Sequence, residues 1–113
     1  MKKVSLTLCG LLVMSATAFA HPPSDIKIQF DPATRTLTAT VKHRVSNPKT
    51  HYIRKIDIGL NGKELKMMPF TRQETSTGQA LSCVVPQAQM GDTLSVEGYC
   101  NLSGKLEKEI KVT

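Results

Sequence analysis

The stretch "HYIRKIDIGLNGKELKMMPF", residues 51–70, decides the fold. Its apolar residues recur with a period of two on either side of Asn61-Gly62, a dipeptide that supplies the positive φ angles a type I′ turn needs at both central positions. A β-hairpin follows. In a two-residue loop Leu60 faces Lys63, so the spacing pairs Ile58 with Leu65 and Ile56 with Met67.

Outward from the hairpin the same alternation continues. "DIKIQF", residues 25–30, puts Ile26, Ile28 and Phe30 on one face, and Asp31-Pro32 supplies a turn. "RTLTATVKHRV", residues 35–45, places Leu37, Ala39, Val41, His43 and Val45 on one side and threonines and basic residues on the other. His43 is therefore expected on the apolar face. "TRQETSTGQ", residues 71–79, is polar and reads as a loop. Then come "ALSCVV" with Leu81, Cys83 and Val85 aligned, "TLSVEGYC" with Leu94, Val96 and Cys100 aligned, and "KLEKEIKV" with Leu106, Ile110 and Val112 aligned around Lys108. No segment carries an amphipathic helix or an internal repeat. Seven short strands broken at this spacing predict an all-β fold, a seven-stranded immunoglobulin-like β-sandwich.

The first twenty residues, "MKKVSLTLCGLLVMSATAFA", have a different character: two lysines, a short apolar run and Ala18-Phe19-Ala20. This is the pattern of an export signal cleaved after Ala20. The apolar run falls short of the roughly 20 residues that span a bilayer, so no integral membrane segment is expected. In Leu6-Thr7-Leu8 a bulky leucine stands where a lipoprotein signal needs a small residue before Cys9, and too little apolar segment precedes it, which argues against lipidation of Cys9. Residues 21–113 then form one exported domain of about 90 residues, periplasmic or secreted. The formal charge of +6 falls to +4 without Lys2 and Lys3. An excess that small, without a run of like charges and with few aromatic rings, gives nucleic-acid binding no support. Self-association is left open.

Cys83 and Cys100 remain after cleavage. If residues 80–85 and 93–100 are hairpin neighbours, the two cysteines lie about 15 Å apart, beyond the roughly 7 Å a disulfide bridges. Cys83 is then a small buried hydrophobe, and Cys100, at a strand end beside a loop, a free thiol that a metal would protect. The histidines His21, His43 and His51 all lie before or at the ends of strands, where sandwich loops gather. Met67, Met68 and Met90 lack the clustering of a thioether site and read as filler.

"HPPSDIKI" (21–28), "SNPKTHYIRKIDI" (46–58) and "YCNLSG" (99–104) resemble the iron domain of the desulfoferrodoxin and superoxide reductase (neelaredoxin) family, over essentially all of residues 21–113. The resemblance implies an immunoglobulin-like sandwich holding ferrous iron through histidines and an axial cysteine thiolate, with superoxide and an outside electron donor as reaction partners and peroxide as product. Carried over residue by residue, it makes His21 and His51 metal ligands, Cys100 the thiolate, and Cys100 with His51 the catalytic pair. Asn47 stands where the family has the histidine of a His-Pro pair, and Ser103 replaces the histidine of its Cys-Asn-x-His-Gly motif. His43, facing inward near the same sheet end, is the expected substitute ligand. Two alternatives stand beside this: copper held by the free amine and ring of His21 with His43 or His51, and a sandwich that binds no metal and serves as a secreted binding module.

Overall fold

The computed structural model describes residues 20–113, so the expected export signal and Cys9 lie outside the described residues. Seven strands follow one another: β1 Asp25–Asp31, β2 Thr36–Lys42, β3 Ile53–Leu60, β4 Lys63–Pro69, β5 Gly78–Val84, β6 Thr93–Cys100 and β7 Lys105–Lys111. They form two antiparallel sheets, one in the order β1-β2-β5 and the other β4-β3-β6-β7. The described residues contain no helix, and so none long and apolar enough to cross a membrane.

The alternation explains the core. Leu37, Ala39 and Val41 from β2 and Ile26 from β1 meet Ile56 and Ile58 from β3 and Leu94 and Val96 from β6 in one buried cluster between the sheets. Each fully buried aliphatic side chain contributes about 1.5–3 kcal/mol. The sheets approach so closely at the site end that a Cβ on Gly98 of β6 would come within 2.9 Å of a Val41 methyl.

Asn61 and Gly62 carry the φ angles of a primed turn, 51° and 85°, and Leu60 pairs with Lys63 as expected. The pairing beyond them differs from expectation. A bulge at Ile58/Gly59 sets Gly59 opposite Glu64 and Ile58 opposite Lys66, so Ile56 meets Met68 rather than Met67. One inserted residue turns every later side chain of the strand to the other face. Met68 and Phe70 consequently pack on the core, while Leu65 and Met67 are 39% and 47% exposed. The third expected filler, Met90, is exposed in the turn before β6.

The expected neighbourhood of β5 and β6 also needs correction. β5 pairs with β2, whereas β6 lies between β3 and β7 in the other sheet. Pro86 has no N–H to extend the ladder, and Gly91 N–H bonds to Val112 O, just past β7 of the other sheet, at 2.7 Å. Cys83 therefore sits opposite Leu37 and Cys100 opposite Ile53. Both thiols are free; Cys83 packs against the core, and burial pushes its thiol pKa up.

Three connections pass from one sheet to the other: residues 43–52, 70–77 and 85–92. The first two emerge at the same end, next to residues 20–24 and the β6–β7 turn, because β1 begins where β2 ends and β3 begins where β6 ends. That end of the fold collects the histidines.

Candidate metal centre

His43 arrives by parity. β2 ends at Lys42 because β1 and β5 both pair with it there for the last time, three residues short of the expected end. The chain still runs straight enough for His43 N–H to bond to Thr77 O at 2.9 Å and Val45 N–H to Ser76 O at 2.8 Å. The inward alternation therefore continues through His43, which is completely buried.

His51 arrives by a turn. Asn47 O accepts the N–H groups of Thr50 and His51 at 3.1 and 3.0 Å, and Asn47 Oδ1 accepts Lys49 N–H at 3.0 Å. The side chain of Asn47 is thus occupied in shaping the turn, an Asx motif that swings His51 inward. His51 is 9% exposed, and β3 starts two residues after it, at Ile53. His21 arrives by extension of β1: Ser24 N–H bonds to Lys42 O at 2.9 Å, which carries the preceding prolines and His21 along the end of β2.

The three imidazoles meet. Ring centroids are 4.8 Å apart for His21 and His43, 5.0 Å for His21 and His51, and 4.8 Å for His43 and His51. One nitrogen from each ring lies within 4.8 Å of the others, a spacing that one ion can gather. Imidazoles are the commonest protein ligands for zinc, copper, nickel and ferrous iron.

Their hydrogen bonds fit that use. His51 Nε2 is buried and has no partner among the described residues, an orphaned acceptor or donor of a kind that costs about 1–3 kcal/mol unless something fills it. Burial holds the pKa of His51 below the usual histidine value, and the neighbouring His43 and His21 lower it further. The neutral ring that a metal needs is therefore favoured. His21 has Nδ1 3.0 Å from Pro22 O and Nε2 3.0 Å from Arg44 O; a neutral imidazole has one N–H and can satisfy only one of these carbonyls. His43 has Nδ1 2.8 Å from Gln73 Oε1 and Nε2 3.2 Å from the main-chain oxygen of His21.

Cys100 is not one of the three members of this cluster; the strand pairing sets it two residues along from His51, opposite Ile53. It ends β6, 5% exposed. Its Sγ accepts the N–H groups of Leu102 at 3.4 Å and Ser103 at 3.5 Å. Ser103 thus serves the sulfur through its backbone, where the resemblance implied a ligand side chain. The thiol loop is fastened to the His51 segment by Asn101, whose Oδ1 accepts Tyr52 N–H at 2.8 Å and whose Nδ2 donates to Thr50 O at 3.1 Å. An open groove along Arg54, Tyr99, Cys100, Ser103 and Lys105 leads to the thiol from outside.

Gln73 escaped the sequence. It sits in what reads as an ordinary polar loop, yet it is completely buried beneath the cluster. A glutamine between arginine and glutamate gives no periodic sign of burial; only a β4–β5 crossing that passes under His43 brings it there.

Comparison with family profiles, with curated proteins and with solved structures finds no match to this chain.

Proposed function

We propose that this chain is an exported metal-binding protein whose centre is formed by His21, His43 and His51, with the Cys100 thiolate as a fourth ligand and ferrous iron as the ion. The observation that carries the proposal is the buried, unpartnered Nε2 of His51 between two other imidazoles. Three imidazoles with one thiolate make a donor set suited to iron, copper or zinc. The two sheets, read as an immunoglobulin-like sandwich, act as the rigid frame for loops from four parts of the chain.

The proposed reaction is that of a superoxide reductase. Bound ferrous iron would supply one electron, so that superoxide, taking up two protons, leaves as hydrogen peroxide while an outside donor restores the electron. The residues of the chain do the rest. Backbone N–H groups of Leu102 and Ser103 hold the sulfur, burial excludes water from His43 and His51, and Arg54 along the groove draws in a small anion.

The test is metal content by mass spectrometry on protein purified from the periplasm without oxygen, with superoxide consumption measured on the same sample. Near one iron per chain, lost in His51→Ala, is the expected result. Protein that holds no metal and takes up none of ferrous iron, cobalt or zinc overturns the centre; metal without superoxide reduction overturns the reaction alone.

A second reading is favoured by one contact, the main-chain oxygen of His21 lying 3.2 Å from His43 Nε2. It places the backbone of His21 at the cluster, where an amine freed by cleavage after Ala20 would join its own ring in holding copper. One extra residue ahead of His21 then abolishes copper binding. The three-imidazole centre tolerates the same extension.

A further inference from the structure

Gln73 has a single possible amide orientation. Its Nε2 donates to His43 O at 2.7 Å and to Thr75 O at 2.8 Å, and its Oε1 accepts Ile53 N–H at 3.2 Å. Exchanging the two atoms would set an oxygen against two carbonyls and an N–H against an N–H at a fully buried position. Oε1 is therefore fixed where it stands, 2.8 Å from His43 Nδ1. Oε1 and the main-chain oxygen of His21, 3.2 Å from Nε2, both only accept, and a neutral ring has one N–H to give; the shorter, fully buried contact to Oε1 favours the proton on Nδ1.

The consequence falls on the far side of the ring. A neutral imidazole has one N–H, so a proton held on Nδ1 leaves Nε2 with its lone pair, and Nε2 is the nitrogen on the His21 side. We propose that Gln73 is the positioning residue of this centre: it locks His43 as the Nδ1–H tautomer and so presents Nε2 as the ligand atom. The proposal rests on the metal-binding role of the histidine cluster.

Gln73 also spans the two sheets at the point where the cluster hangs. Its side chain joins His43, just past β2, to Ile53, the first residue of β3, and its own N–H bonds to Pro48 O at 2.9 Å, within the turn that delivers His51. One buried amide therefore sets both the tautomer of one ligand and the spacing to the next. Metal-bound histidines in general hold their other ring nitrogen on such a partner, and its loss typically lowers affinity about 10–100-fold.

The test has two arms. Nitrogen-15 NMR of the imidazoles in metal-free wild-type protein, at a pH where they are neutral, reads the tautomer of His43 directly; Nδ1–H is expected, and Nε2–H overturns the proposal. Cobalt titration then compares Gln73→Met, which keeps length and loses both polar atoms, with Gln73→Glu, whose buried carboxyl, facing His43 O and Thr75 O, enters protonated and so keeps one donor as well as the acceptor for His43 and Ile53. Gln73→Met is expected to shift the proton to Nε2 and weaken cobalt binding about 10–100-fold at unchanged stoichiometry, while Gln73→Glu keeps the tautomer and the affinity. Equal weakening in both variants, following their stability, would make Gln73 a structural residue and nothing more. If Gln73→Met does not fold, the wild-type tautomer still decides. Wild-type protein that shows Nδ1–H on His43 and takes up no cobalt sinks the metal centre itself while leaving the tautomer assignment in place.

Discussion

Pro22 rests on Gly104 so closely that a Cβ at the glycine would come within 2.7 Å of the proline's own Cβ. The segment carrying His21 is thereby seated on the loop that closes behind Cys100, whose N–H bonds to Gly104 O at 3.0 Å. Gly104 also has a φ of 81°. The glycine meets two demands at once, a left-handed backbone and a bare surface for Pro22.

Gly104→Ala should therefore cost more than a positive φ alone. Gly91, with a φ of 93° and nothing within 4 Å of a Cβ, is the internal control. Urea denaturation is expected to show a loss of about 1–2 kcal/mol for Gly91→Ala from the backbone, and about 2–4 kcal/mol for Gly104→Ala, where overpacking against Pro22 adds to it. Equal losses would mean that Pro22 does not sit on the loop.

The histidines should separate by what their removal leaves behind. His51→Leu deletes a buried nitrogen that has no partner, so the metal-free protein should be no less stable. His43→Leu leaves Gln73 Oε1 with only Ile53 N–H and should lose about 1–2 kcal/mol. Both should abolish the rise in melting temperature on adding zinc, a rise worth about 2.7 kcal/mol in wild type when free metal stands at a hundred times Kd. The metal would join His21 and His43, beyond the β1-β2-β5 sheet, to His51 in the turn just ahead of β3; a zinc response surviving in His51→Leu contradicts that staple.

Stability without metal should fall in mild acid. His51 has its folded pKa below the ordinary value of 6.5, chiefly through burial, so between the two values the unfolded chain binds more protons than the folded one. The contribution is complete above about pH 6.5 and is lost progressively as pH falls toward the lower folded value. Urea midpoints measured from pH 8 to pH 5 should show this decline, and His51→Leu should flatten it. An unchanged slope in that variant would place the titrating group elsewhere.

Cys100 is expected to reveal itself by colour. Cobalt-loaded wild-type protein should show a near-ultraviolet thiolate-to-cobalt band that Cys100→Ala lacks, with one cobalt still bound through the imidazoles. If wild type binds cobalt with no such band, the thiol stays outside the centre and the N–H groups of Leu102 and Ser103 serve only the turn.

Much of this protein was legible in one dimension. Alternation in residues 25–30, 35–45 and 93–100 specifies which side chains face inward because strand geometry repeats every two residues, and inward parity alone carried His43 into the core. Asn61-Gly62 announced its turn for an equally local reason. The three histidines stood out as candidates by residue type and by their places at strand ends.

What the sequence could not determine depends on which strands become neighbours and on a single inserted residue. The bulge at Ile58/Gly59 reversed the facing of Met67 and Met68, and the division of β5 and β6 between two sheets replaced an expected hairpin. Each is chosen by the whole core, since register and sheet membership are settled by what buries the most apolar surface at once. The tertiary structure alone brought His21, His43 and His51 within one ion's reach, left Asn47 to shape a turn, and slid Gln73 beneath His43. Local alternation tells a side chain which way to face; only the packed sheets decide what it finds there.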